Sequence, residues 1–98
     1  MNTILTNDIE IFAMRFAALG SPARLLLLQV LLRAGGEGLN VSDIQKRTGM
    51  PASTQFHHLA ALVKAGVIHR VRQGKEMFYR VDIHSLREVY EFLVDQCC

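Results

Sequence analysis

A glycine–proline turn between two short helical patterns is the strongest constraint on what this chain can fold into. Gly49-Met50-Pro51 separates a segment opening at Asn40 from one running from about Ala52 to Ala65. Gly66 stops the second, because glycine readily takes the left-handed conformation that ends helices. Directly after it, Val67 to Arg72 and Glu76 to Val81 alternate and are rich in β-branched and aromatic residues, with Gln73-Gly74 as the turn between them. Helix, tight turn, helix and hairpin in that order predict a winged helix–turn–helix. Such a shape lays its second helix in a DNA groove.

The flanks supply the remaining helices. Asn7 is positioned to cap a first helix whose first turn holds Asp8 and Glu10, and Ile9, Phe12, Phe16 and Leu19 share one face of it. Gly20 ends that helix. Ser21-Pro22 is a cap followed by proline at the first helical position. Leu25 to Leu28, Val30, Leu31 and Leu32 then make the second helix apolar nearly all round, which predicts a central place for it. The glycines of Ala34-Gly35-Gly36-Glu37-Gly38 close it. Ile44 is the expected inward residue of the third helix, and Phe56, Leu59, Leu62 and Val63 form the expected buried stripe of the fourth. Asp82 or Ser85 opens a last helix lined on one side by Ile83, Leu86, Tyr90 and Leu93. The expected fold is mainly α with one β-hairpin, α-α-α-α-β-β-α, as a single domain over residues 1–98.

Charge is distributed unevenly along this pattern. Residues 46–80 carry Lys46, Arg47, Lys64, Arg70, Arg72, Lys75 and Arg80 against Glu76 alone, a net +6. The rest of the chain is −4, and the whole is +2. The basic segment coincides with the helix–turn–helix and hairpin. That is the electrostatic footprint of a surface that neutralises phosphates.

Individual roles follow from chemistry. Ser53, Thr54 and Gln55 open the reading helix with small or hydrogen-bonding side chains. Gln pairs bidentately with adenine, and Ser or Thr bonds a base edge or a phosphate. His57, His58 and Lys64 continue the same open face, and Arg47 stands at the end of the helix before it. Arg70, Arg72 and Lys75 on the hairpin are the expected grip on phosphate or minor groove. A single reading helix makes few contacts, so the apolar stripes on the first helix (Ile9, Phe12, Phe16) and the last (Leu86, Tyr90, Leu93) are expected to serve both the core and a homodimer interface. A dimer reads two half-sites of an inverted repeat about one DNA turn apart.

These residues resemble the arsenic-repressor (ArsR/SmtB) family of small bacterial metal-sensing regulators. The resemblance runs from about Phe16 to Cys98. It is carried by Ala18-Leu19-Gly20-Ser21-Pro22-Ala23-Arg24-Leu25, by Pro51-Ala52-Ser53-Thr54-Gln55-Phe56-His57-His58-Leu59, by Leu62-Val63-Lys64-Ala65-Gly66-Val67-Ile68, and by the hairpin stretch Arg72-Gln73-Gly74-Lys75-Glu76-Met77-Phe78-Tyr79. It implies a homodimeric repressor that leaves double-stranded operator DNA when an inducer binds. RNA polymerase would be met only by competition at the promoter.

The same resemblance bears on the inducer. In arsenic sensors of the best-known type two cysteines stand in the third helix. Asn40 and Ser42 occupy those places here, so that site is absent. Another branch carries an adjacent cysteine pair at the end of the last helix, and Cys97-Cys98 resembles it. Thiolates favour thiophilic ions, so trivalent arsenic or antimony is the expected inducer. A third ligand to arsenic would come from a partner thiol, a small thiol or water. An organoarsenical would need only two. A redox switch through Cys97 and Cys98 is an alternative. So is zinc held by Asp82 and His84, which match an Asp-x-His seen in zinc sensors of the family, with Asp95 and Cys98 completing the set.

Other classes fit poorly. No nucleophile, base and orienting group assemble from the motifs, so an enzyme is not expected. No obligatory cofactor is implied. No apolar run approaches the ~20 residues that span a bilayer, and the chain begins without the pattern of a secretion signal. A cytoplasmic protein without membrane partners is the expectation.

Overall fold

The computed structural model describes residues 6–95, with side chains from Asp8 onward. Its elements are α1 (Thr6–Leu19), α2 (Pro22–Ala34), β1 (Leu39–Asn40), α3 (Val41–Thr48), α4 (Ala52–Lys64), β2 (Ile68–Gln73), β3 (Glu76–Val81) and α5 (Ile83–Asp95). This is the expected winged helix–turn–helix with one addition. The two-residue strand β1 pairs antiparallel with β3, Leu39 against Tyr79 and Asn40 against Phe78, and makes a sheet of order β1-β3-β2.

Local chemistry sets most of the boundaries. The Ser21 side chain accepts from the Arg24 N–H, and Pro22 begins α2 with its fixed φ. The Asn40 side chain accepts from the Asp43 N–H at 2.8 Å and caps α3. At the end of α4, Val67 N–H reaches the Leu62 carbonyl and Gly66 N–H the Val63 carbonyl, with Gly66 at φ +79°. This glycine-terminated arrangement satisfies carbonyls that the last turn leaves open. Asp82 caps α5, its Oδ1 accepting from the Ser85 N–H at 2.9 Å. Helix α1 already includes Thr6 and Asn7, so Asn7 lies inside the helix rather than before it.

The core sits where α2, α3 and α4 meet the inner face of the sheet. Leu27, Leu31, Ile44, Leu59, Leu62, Val67, Ile68 and Tyr79 are its buried members. Helix α2 is less central than its all-round apolarity predicts. Leu27, Leu28 and Leu31 are buried, but Leu25, Leu26 and Leu32 are exposed. Helices α1 and α2 are set at 93° to each other. Phe12 on α1 stacks on Phe92 of α5, ring centroids 4.4 Å apart. Arg15 crosses the same junction, donating to the Ser85 carbonyl and to Glu88 Oε1 at 2.9 Å. Beyond that seam Ile9, Phe16, Ile83, Tyr90 and Leu93 are exposed. No single described helix is long and apolar enough to cross a membrane.

Candidate nucleic-acid interface

A chain of hydrogen bonds fixes the angle between α3 and α4. Gly49 takes φ +71° as the left-handed stop of α3, and its N–H reaches the Gln45 carbonyl. Gln45 Nε2 donates to the Met50 carbonyl, and Met50 N–H donates to Thr48 Oγ1. Thr48 Oγ1 in turn donates to Gln55 Oε1 at 3.3 Å, and Gln55 Nε2 donates to the Val41 carbonyl at 3.1 Å. The loop between the helices is thus tied at both ends, and α4 is presented as a rigid body.

Gln55 therefore does not read DNA directly. Its side chain is 1% exposed, and its two amide ends are spent on Thr48 and Val41. The expected stripe on α4 is rotated by one residue at its start. Gln55, Leu59 and Leu62 face the core, and Phe56, expected inside, is 57% exposed. Both sets repeat at helical spacing, so only residue type separated them, and residue type misled. A glutamine with two interior partners is cheap to bury, since a buried polar group is costly only when it lacks a hydrogen bond.

Most of the remaining predicted contacts on α4 face outward. Ser53, Thr54, His57 and Lys64 are exposed, His58 is half-buried, and Arg47 at the end of α3 is exposed. Pro51 provides no side-chain cap to α4. The first-turn N–H groups are thus left for an external acceptor, and phosphate oxygen suits them.

The wing sorts its cations by face. Arg70 is opposite Tyr79 and Arg72 opposite Met77, so both arginines extend the sheet face that covers the core. Arg80 pairs with His69 and lies on the other face, away from Arg70 and Arg72. Gln73 pairs with Glu76, which places the turn at Gly74-Lys75, one residue later than expected. Gly74 takes φ +64° there, and Lys75 is exposed at the tip. Glu76, the one acid of the basic segment, accepts a hydrogen bond from Asn40 Nδ2 at 3.0 Å.

Among the described residues the carboxylates with a basic side chain within 4 Å are Glu88, beside Arg15 and His84, and Asp82, beside His69. None of these pairs involves Lys46, Arg47, Lys64, Arg70, Arg72 or Lys75. Among the described residues those cations have no carboxylate partner, which leaves them available to phosphates.

The residues weighed as zinc ligands are engaged differently. Asp82 caps α5 and its Oδ2 lies 2.9 Å from His69 Nε2. The Ser85 N–H holds its carboxyl below the usual range, and His69 and His84 add to that against the opposing pull of burial. His84 Nε2 lies 3.6 Å from Glu88. Asp95 is at the far end of α5, about 18 Å along the axis from its start. One protomer cannot bring these together, and no cluster of three metal-ligating side chains occurs among the described residues. Cys97 and Cys98 lie outside the described residues.

Known proteins agree with this geometry. The helix–turn–helix domain family matches residues 19–71. An uncharacterized HTH-type transcriptional regulator of Methanocaldococcus jannaschii, MJ1325, is 33% identical over 81 residues, covering 83% of this chain and 88% of that protein. A homodimeric winged helix–turn–helix DNA-binding domain from Mycobacterium bovis, a possible ArsR-family transcriptional regulator, superposes with a TM-score of 0.73 at 26% identity, over 98% of this chain and 90% of that one. The antimony-specific transcriptional repressor AntR superposes with a TM-score of 0.72 at 26% identity, over 96% of this chain and 84% of that one. With its outward-facing α4, its cationic wing and these relatives, the chain belongs to the helix–turn–helix transcriptional regulators.

Proposed function

We propose that this regulator is a homodimeric repressor of a metalloid-resistance operon, released from its operator when trivalent arsenic or antimony binds Cys97 and Cys98. The observation that carries the reading is the adjacent cysteine pair following α5 in a fold similar to that of an antimony-specific repressor. Paired thiolates are soft ligands and select thiophilic ions over hard cations. No resident cofactor is needed, because the bound metalloid is the signal.

Dimerisation is supported by the apolar surface left on α1, α2 and α5. Phe16, Leu25, Leu26, Tyr90 and Leu93 are exposed on these helices, and large apolar side chains left at a surface suit a partner interface. Two copies joined there would offer two α4 helices to an inverted repeat, with half-sites about one turn apart. Occupying the operator would exclude RNA polymerase from the promoter. Because the cysteines follow the interface helix α5, a metalloid bound there can alter how the two halves sit and hence their spacing.

A gel shift on the DNA upstream of the chain's own coding region tests this. Arsenite, methylarsenite or antimonite should release the protein, and zinc or peroxide should not. The Cys97→Ser/Cys98→Ser double variant should bind DNA normally and ignore all three metalloids. Release by peroxide alone would replace the metalloid reading with a redox switch, and undiminished metalloid response in the double variant would move the sensor elsewhere.

A further inference from the structure

Phe56 stands out once Gln55 is known to face inward. It is a large aromatic side chain, 57% exposed, in the first half of a helix whose outer face is otherwise small, polar or cationic. Its neighbours three residues before and four after are Ser53 and Ala60, both exposed and too short to cover the ring. The His57 ring meets it edge to face at 6.0 Å. The exposed apolar residues of α1 and α5 belong to other elements, and Phe56 shares its face with Ser53, Ala60 and Lys64 instead. The polar side chains left at the start of the reading helix, Ser53 and Thr54, are short.

We propose that Phe56 is a specificity-determining residue that packs on the 5-methyl group of thymine in each operator half-site. This rests on the reading that α4 enters the major groove. An α-helix fits that groove, and the thymine methyl is the one apolar group that base edges present there. Wedging a phenylalanine between bases is the alternative use of such a ring. It belongs to minor-groove binders, and a helix is too wide for the minor groove. The apolar ring replaces the adenine-reading role first assigned to Gln55, so the operator should require a thymine where a polar contact would have required an adenine.

The test uses the full chain and duplexes enriched from a random pool by the wild-type protein. Each thymine of the enriched site is then replaced by uracil, which differs only by lacking the methyl group. Wild-type protein should lose affinity at one thymine per half-site, roughly fourfold for each methyl removed. Phe56→Ala should bind the thymine duplex more weakly and should not distinguish thymine from uracil at that position, whereas Phe56→Leu should keep part of the discrimination. Because the ring is exposed, both variants should melt at the wild-type temperature. If wild-type protein tolerates uracil at every thymine, or Phe56→Ala discriminates as well as wild type, the role of Phe56 is overturned while the regulator reading stands. If wild-type protein enriches no duplex, both are overturned.

Discussion

Gln55 Nε2 donates to the backbone carbonyl of Val41 at 3.1 Å, joining the start of the reading helix to the start of the helix before it. Since Gln55 also accepts from Thr48, one side chain sets the pose of α4 relative to α3. Gln55→Ala would leave the Val41 carbonyl and the Thr48 hydroxyl without this partner and open a cavity under the turn. A loss of about 1–3 kcal/mol in folding stability is expected, measured by denaturant unfolding. Affinity for all duplexes should fall together, with discrimination between sites retained. A stable Gln55→Ala protein with relaxed site preference would return Gln55 to the reading surface.

The wing acts through charge. Arg72 and Lys75 are exposed and have no carboxylate partner among the described residues. Arg72→Ala and Lys75→Ala should each weaken binding to specific and random duplexes alike. Each should also shallow the slope of log affinity against log salt by about 1, the change expected for one lost phosphate contact. Arg80→Ala is the informative control, because Arg80 lies on the opposite sheet face beside His69. Its salt slope should stay close to that of wild type. Equal effects at Arg72 and Arg80 would mean that the wing does not approach DNA by the face inferred from its register.

What was legible in the sequence was chemistry confined to a few neighbouring residues. Ser21, Asn40 and Asp82 act as caps because a short polar side chain reaches an N–H two or three residues on, which spacing alone reveals. The basic segment and the hairpin were likewise local. What was not legible depended on partners distant in sequence. Gln55 is interior because Val41 and Thr48 satisfy it, and no periodicity records that. Strand β1 has two residues, too short to show alternation, and exists through its pairing with Tyr79 and Phe78. Arg80 counts with the other bases of residues 46–80, and only register shows that it lies on the opposite sheet face from Arg70 and Arg72.

Gly38 is where that short strand becomes possible. It takes φ +74°, and a Cβ there would collide with the Tyr79 carbonyl oxygen and the Arg80 Cβ. The chain passes so close to β3 that only a glycine fits. Gly38→Ala combines an unfavourable backbone region with a clash against backbone. It should cost more than about 1 kcal/mol of stability and loosen the β1–β3 pairing. Gly74, also at positive φ, has open space around its Cβ position, so Gly74→Ala should cost less. Thermal unfolding of the two variants checks the order. A smaller loss at Gly38 would show that β1 is dispensable.

Asp82 links the wing to α5 and makes stability sensitive to acid. Its Oδ1 caps the helix through the Ser85 N–H, and its Oδ2 lies 2.9 Å from His69 on β2. The capping bond is the largest influence holding its carboxyl below the ordinary range. A carboxylate whose folded pKa is depressed stabilises the fold fully above its unfolded value, about 3.9 for aspartate. That contribution is lost as pH falls through the lower folded value. Asp82→Ala should therefore cost about 1 kcal/mol near neutral pH, typical of a lost cap, and the difference from wild type should shrink only below about pH 4. Asp82→Asn keeps a capping oxygen but cannot ionise, so it should be closer to wild type at neutral pH and lack the acid-side loss. Denaturant unfolding from pH 7 down to pH 3 separates the two roles. A wild-type-to-Ala difference that persists unchanged to pH 3 would mean that the cap does not depend on the charge of Asp82.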